Sequence, residues 1–289
     1  MQKLIFPIWF FFVFTVLEAF EKIDWQKAKP VQKGVLHIAL ALEQPRLMKI
    51  NMLRIDLKTP GLDFTATGRD KDWGKPMPDY PEGIIRTKRQ RTRNYMKEAR
   101  KAGINMIVAV NAAPWGPWRK PFNQKYADPG GIHILNGEVI SDHGGKRPAF
   151  VIYSDGTPAI TQGIPKEDYS RIKLSLTGFS IVVRNGKSSF KDKSIHPRTL
   201  YGFSADKRYL YLLTIDGRQK DWSIGASAEE GGELLIAAGA SEGINMDGGG
   251  SSTLIYWDET QQKQVSLCRH SANGYERPVG SNMGIFLRK

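Results

Sequence analysis

The 289-residue chain carries 42 Lys+Arg against 29 Asp+Glu, a formal net charge of +13, with 40% hydrophobic and 25% charged residues. This is a globular composition, which excludes low-complexity disorder and a multi-span membrane protein. One cysteine, Cys268, excludes an intramolecular disulfide framework and a thiolate-rich zinc site. The excess of positive charge points to nucleic acid, a membrane surface or an anionic small substrate.

The chain opens with an export signal. Lys3 is followed by the apolar run Leu4 to Leu17, with a small-residue cleavage site near Ala19. The run is short of the roughly 20 residues that a membrane span needs. Residues 1–19 are therefore expected to be removed, leaving a secreted or periplasmic protein of the bacterial envelope with no stable membrane span. Lys3 and Glu18 cancel, so processing leaves the charge unchanged.

Residues 20–34 read as a polar lead-in. Val35 to Ala41 and Met48 to Leu57 alternate as strands do, and Pro60-Gly61 ends the second. Residues 68–85 read as a long loop. A helix is expected from Thr87 to Ala102, closed by Gly103. The continuous apolar strand Asn105 to Val110 then ends at Asn111, before an aromatic, proline-rich loop from Pro114 to Pro121. Asn136-Gly137, Asp155-Gly156 and Asn185-Gly186 mark hairpin turns, so the middle of the chain is expected to be antiparallel.

The last third changes rhythm. Thr199 to Phe203 and Tyr209 to Ile215 read as strands, and a helix from Ala228 to Ala238 is capped by Ser227 and ended by Gly239. Gly243 to Met246, Ser252 to Trp257 and Met283 to Leu287 read as further strands. Strand, helix and strand over 209–247 suggest two parallel strands with a crossover helix. The fold class expected is α+β, a mixed β-sheet with packed helices in a single catalytic domain over 35–289.

That crossover would bring Asp216 and Asp247 to one edge of the sheet, with Asn111 at a strand end nearby. Arg218 follows Asp216, and His196-Pro197-Arg198-Thr199 supplies a second guanidinium. Gly248, Gly249 and Gly250 allow close backbone approach to a ligand, and Ser251, Ser252 and Thr253 add hydroxyls. Carboxylates, arginines and a glycine nest describe an anion-binding hydrolytic cleft. Asp-Gly at a strand end is equally a plain turn, and His196 is read as structural. No lysine precedes the hydroxyls as a P-loop requires, and Gly-x-Ser-x-Gly is absent. His133, His143 and His270 lack metal-ligand spacing. Trp115 and Trp118 fit either a sugar site or loop packing. Arg86, Lys88, Arg89, Arg91, Arg93, Lys97, Arg100 and Lys101 would form a basic stripe on the first helix. Given the export signal, it reads as a solvated face or a contact with an anionic envelope polymer, not nucleic acid.

From His196 to Phe286 the sequence strongly resembles the phosphodiester glycosidase family. This is the catalytic-domain family of the enzyme that uncovers mannose 6-phosphate by removing N-acetylglucosamine from a phosphodiester; its bacterial members are often called exopolysaccharide-related. The matching words are His196-Pro197-Arg198-Thr199, Asp216-Gly217-Arg218-Gln219, Ser223-Ile224-Gly225 with Glu230, Asn245 through Thr253, and Arg277-Pro278-Val279 with Asn282 and Gly284. The family usually follows the strand-end asparagine with Gly-Gly or Gly-Asp and an aromatic pair. Here Asn111-Ala112-Ala113-Pro114-Trp115 stands instead, which bears on specificity at that wall more than on the chemistry.

The resemblance implies a hydrolase that cleaves the glycosidic bond of a sugar-1-phosphodiester. Asp247 would act directly, with Asp216 and Glu230 as further carboxylates. Asn111, Arg198, Thr199, Arg218, Gly248 to Gly250 and Ser251 to Thr253 would hold the substrate. The alternative is a non-catalytic binder of anionic envelope glycans or exopolysaccharide. No cofactor is required on this reading. A divalent cation could be held by Asp216, Asp247 and Asn111, oxygen ligands suited to a hard ion.

Overall fold

The computed structural model describes residues 20–120, 123–143, 145–271 and 274–288. The export signal expected at 1–19 lies outside them.

The expected α+β class is corrected. Strands account for 46% of the structure, and every strand pair is antiparallel. Among the described residues there are two α-helices, Thr92–Lys101 and Ala228–Ala238, besides short 3-10 turns. The largest sheet runs, in spatial order, Lys29–Gln32, Val35–Leu42, Met48–Asp56, Tyr209–Ile215, Arg198–Phe203, Glu242–Asn245, Ser180–Arg184, Lys187–Ser188. A second sheet centres on Met106–Asn111, flanked by Leu254–Asp258 and Asn282–Leu287. A third contains the hairpins around Asn136-Gly137 and Asp155-Gly156. Asn136 and Asn185 both take positive φ (50° each) before glycines that do the same, as a two-residue hairpin turn requires.

The three sheets share one core. Leu53, Ile55, Tyr201 and Leu212 of the first meet Val108, Val110, Leu254 and Ile285 of the second, and Phe150, Leu174 and Leu176 of the third. Alternation along Met48–Asp56 separates two faces. Leu53 and Ile55 enter that core, while Met48, Ile50 and Met52 pack with Leu234 and Leu235 of helix Ala228–Ala238. Met96 of helix Thr92–Lys101 packs on Met106, Ala109 and Ile255 of the second sheet. Met106–Asn111 is thus buried on both faces without belonging to a parallel sheet.

The strands flanking helix Ala228–Ala238 are not neighbours. Arg198–Phe203 lies between Tyr209–Ile215 and Glu242–Asn245, antiparallel to both, so the outer two run in the same direction. Ile215 stands opposite Arg198 and Asn245 opposite Leu200. Two strand ends and one strand start therefore meet at a single edge.

Two further expectations change. The first helix begins at Thr92, because Thr87–Lys88 is a short strand whose buried Thr87 hydroxyl donates to the Gly280 carbonyl at 2.7 Å. Arg86, Lys88, Arg89 and Arg91 of the basic stripe leave the helix with it, while Arg93, Lys97, Arg100 and Lys101 stay on it. Arg89 donates to the Gln124 carbonyl at 2.8 Å and covers the Trp115 ring, Arg93 pairs with Glu276, and Arg100 donates to the Met106 carbonyl at 2.9 Å. These arginines stitch loops to the second sheet. The lead-in is also integrated: Trp25 Nε1 donates to the Ala238 carbonyl at 2.9 Å, and Lys29–Gln32 forms the sheet edge.

Candidate active site

A cavity of about 420 Å³ opens at the edge where those strand ends meet. Asp247 follows strand Glu242–Asn245, and its carboxylate is the one acidic group among the described residues lining the cavity. Asn111 fixes it from behind. The Asn111 Nδ2 donates to the Asp247 carbonyl at 2.6 Å, while its Oδ1 accepts from the Thr199 hydroxyl at 2.8 Å and the Thr253 amide at 3.0 Å. One fully buried side chain thereby ties the second sheet to the first and to the glycine turn.

Each glycine of that turn meets a different neighbour. A Cβ on Gly248 would lie 2.7 Å from the Pro197 carbonyl oxygen. Gly249 takes φ +62° and lies under Arg218, while a Cβ on Gly250 would lie 2.6 Å from Arg277 Cζ. The amides of Gly249, Ser251 and Ser252 donate to the carbonyls of Pro197, Gly248 and Gly249. The turn therefore serves mainly as a floor for two guanidiniums, and the expected anion nest is largely closed by its own backbone. Replacing Gly248 by alanine should destabilise the fold by about 1–3 kcal/mol, because the clash is with backbone. Replacing Gly250 should leave the melting temperature nearly unchanged and displace Arg277, raising KM for an anionic substrate. Thermal melting and steady-state kinetics separate the two.

Burial raises the carboxyls of both Asp216 and Asp247, and of the two only Asp247 lines the cavity. Burial pushes its carboxyl up to about 6, against opposing contributions from the Ser251 hydroxyl, Arg277, the Gly248 amide and the Trp115 indole. Ser251 Oγ itself is buried without a hydrogen-bond partner of ordinary geometry, so that opposition is soft. Arg218 and Arg277 both line the cavity, and among the described residues neither is joined to a carboxylate in an ion pair. Arg277 stacks its guanidinium on Trp118, 4.7 Å from the ring centroid. Trp115, Trp118 and Phe179 form an aromatic wall, the last two more than half exposed. His196 completes the basic side, its imidazole pKa pushed down by burial and by Arg198 and Arg218.

The other expected residues stand as follows. Arg198 borders the cavity but is committed: its Nε donates to the Ala226 carbonyl at 2.9 Å and its Nη2 to Asp192 at 2.8 Å. Asp216 does not line the cavity. Its carboxylate accepts from Trp222 Nε1 at 2.8 Å and from the Arg269 amide at 3.1 Å. Glu230 closes a capping box with Ser227 at the start of helix Ala228–Ala238 and pairs with Arg46. Thr199 serves Asn111, and Ser252 and Thr253 are buried behind the turn, their hydroxyls without protein partners. Asp216, Asp247 and Asn111 do not converge as a cation site, since the Asn111 amide is fully engaged with protein groups and the Asp216 carboxylate faces Trp222 and Arg269. Among the described residues no cluster of three His, Cys, Asp or Glu could hold a metal. Asp216→Asn is expected to keep turnover within about tenfold, since its carboxylate holds a loop and does not line the cavity; the same kinetic assay applied to Asp247→Asn provides the contrast.

Arg277 is the functional residue that sequence reasoning left out of the site. Its only signal was membership in the Arg277-Pro278-Val279 motif, because neither spacing nor charge shows that it reaches Gly250 from a segment 27 residues later.

Fold and site define an antiparallel β protein whose sheet edge carries one carboxylate with a raised pKa among arginines and aromatic rings. The phosphodiester glycosidase family model matches residues 104–286, more than half of the chain, and the protein belongs to that family. No curated protein matches the sequence. Among solved structures, the catalytic domain of zebrafish N-acetylglucosamine-1-phosphodiester alpha-N-acetylglucosaminidase, auto-inhibited by its pro-peptide, is similar with a TM-score of 0.62 at 16% identity, over 93% of this chain and 87% of that one. A hypothetical protein from Synechocystis is similar with a TM-score of 0.59 at 12% identity, over 91% of this chain and 64% of that one.

Proposed function

We propose that the protein hydrolyses the glycosidic bond of a sugar-1-phosphodiester, such as an N-acetylglucosamine 1-phosphodiester, to free sugar and a phosphomonoester. The observation that carries this reading is that Asp247 lines the cavity together with Arg218 and Arg277, with no second carboxylate lining it among the described residues. An ordinary glycoside needs a carboxylic acid to protonate its leaving oxygen, hence the usual pair of carboxylates. A phosphodiester leaves as a stabilised anion and needs guanidiniums instead. In the proposed reaction a water oxygen bonds to C1, the C1–O bond breaks with its electron pair going to the phosphate, and the proton released from water is taken up at Asp247. Arg218 and Arg277 bind the phosphate and meet the charge that develops on it. The aromatic wall of Trp115, Trp118 and Phe179 packs against sugar rings.

The expected localisation is outside the cytoplasm, on the strength of the leader at 1–19. No helix among the described residues is long and apolar enough to cross a membrane. The test is incubation with a panel of sugar-1-phosphodiesters, with free sugar followed by NMR. Release of sugar that is lost in Asp247→Asn supports the reading, and the anomer appearing first gives the stereochemistry. Salt-sensitive binding of anionic glycan without release of sugar would establish the non-catalytic alternative.

A further inference from the structure

Arg218 and Arg198 border the same cavity but are held in opposite ways. Arg198 is anchored by Asp192, whose negative charge offsets its own. Arg218 projects from a left-handed backbone (φ 58°), an uncommon conformation for a residue with a side chain. The one side-chain hydrogen bond it makes among the described residues runs from its Nη2 to His196 Nδ1, at 3.2 Å.

We propose that His196 is the positioning residue of the phosphate clamp: its Nδ1 lone pair holds the Arg218 guanidinium over Gly249 without neutralising it. A guanidinium has only donors, so Nδ1 must accept, which requires the neutral imidazole with its proton on Nε2. The charged groups facing the ring are Arg198 from the start of the strand that follows it, Arg218 from the loop 216–226 and Asp192 from the segment before it. The two arginines and burial disfavour the imidazolium, and only Asp192 opposes them. A carboxylate in this place would orient the arginine equally well but would compete with the substrate for its charge. A neutral acceptor leaves the full charge for an arriving anion.

The backbone keeps the pair in register. The His196 amide donates to the Ala226 carbonyl at 3.1 Å, and the Ala226 amide returns the bond at 3.0 Å. The Arg218 amide donates to the Ile224 carbonyl at 3.0 Å. The two glycines between these contacts permit the approach: a Cβ on Gly217 would lie 2.8 Å from the Pro197 nitrogen, and one on Gly225 would lie 2.6 Å from the His196 oxygen.

This inference rests on the reading that the cavity binds a phosphodiester, and the test keeps the two apart. Wild type, His196→Ala, His196→Asn, Arg218→Ala and the double alanine variant are compared. Inorganic phosphate affinity is measured by calorimetry, KM and kcat on a sugar-1-phosphodiester by NMR, and folding by thermal melting. His196→Ala should raise the phosphate Kd and KM about 3–10-fold, the range of one solvated hydrogen bond, with kcat changed less. The double variant should be no weaker than Arg218→Ala alone, because His196 acts through Arg218. His196→Asn, whose Oδ1 can accept in the place of Nδ1, should recover most of the affinity, and it keeps the test intact if the alanine variant fails to fold. Additive losses, an unchanged phosphate Kd in His196→Ala, or a folded His196→Asn as weak as the alanine variant would each overturn the proposal. So would a wild type that does not bind phosphate at millimolar concentration. If phosphate affinity follows the expected pattern and no sugar is released, the clamp stands and the glycosidase reading falls.

Discussion

Asp247→Asn is expected to lower kcat on a sugar-1-phosphodiester by about 10²–10⁴-fold, with KM little changed. The amide is isosteric, so the bond from Asn111 to the Asp247 backbone carbonyl and the turn's own backbone bonds are kept. What disappears is the one carboxylate lining the cavity. Because burial raises its pKa to about 6, the wild-type profile of kcat/KM should fall as pH drops through about 6, where the working carboxylate is protonated. A fall on raising the pH through 6 would instead identify Asp247 as an acid. Stability provides a second readout. A carboxyl whose pKa is higher in the folded than in the unfolded state binds more protons when folded, so stability declines as pH rises from about 4 to about 6. Asparagine does not titrate. The variant should melt at an equal or higher temperature than wild type at pH 7.5 and lose that part of the pH dependence. An inactive but more stable variant is the mark of a group retained for chemistry.

Asn111→Ala should have the opposite character. It would strand the Thr199 hydroxyl, the Thr253 amide and the Asp247 carbonyl, all buried or partly buried, in one step. Each group left unsatisfied costs about 1–3 kcal/mol, so a loss of about 3 kcal/mol or more is expected, some 6–12 °C of melting temperature. Activity should fall too, because the Asp247 backbone loses its tether to the second sheet. The two effects are measured by melting and by turnover well below the new transition. Restoration by Asn111→Gln is not expected, since the longer side chain cannot reproduce three short contacts at once.

Local features of the fold were legible in the sequence. Helix Ala228–Ala238 begins at the Ser227 capping box and ends at Gly239, whose φ of 105° needs glycine. The Asn-Gly hairpins stand at the expected positions for the same kind of reason: cap and turn chemistry is local. Strand partnership is not local. The insertion of Arg198–Phe203 between Tyr209–Ile215 and Glu242–Asn245 turns an apparent parallel crossover into an antiparallel sheet, and no spacing within 209–247 reports on it. The common edge for the Asp216 and Asp247 segments follows in either arrangement, because the outer strands still run in the same direction. Which carboxylate faces the cavity depends on loop detail instead. Trp222, six residues after Asp216, folds back to occupy it. Arg86 to Arg91 looked continuous with the helix because helical spacing was assigned where a strand and a loop stand, and Arg89 finds its partners at 124 and 278.

The interleaving of the first and last thirds of the chain also dictates the order in which the molecule can be built. Met48–Asp56 finds its inner neighbour only at Tyr209–Ile215, and the strand bearing Asn111 pairs with Asn282–Leu287 at the C-terminal end. Such distant pairings form late and slowly. A chain emerging N-terminus first could not complete the first sheet before Glu242–Asn245, nor the second before Asn282–Leu287, had emerged. The cavity, walled by residues of both sheets' edges, would come into being only as those last strands pair.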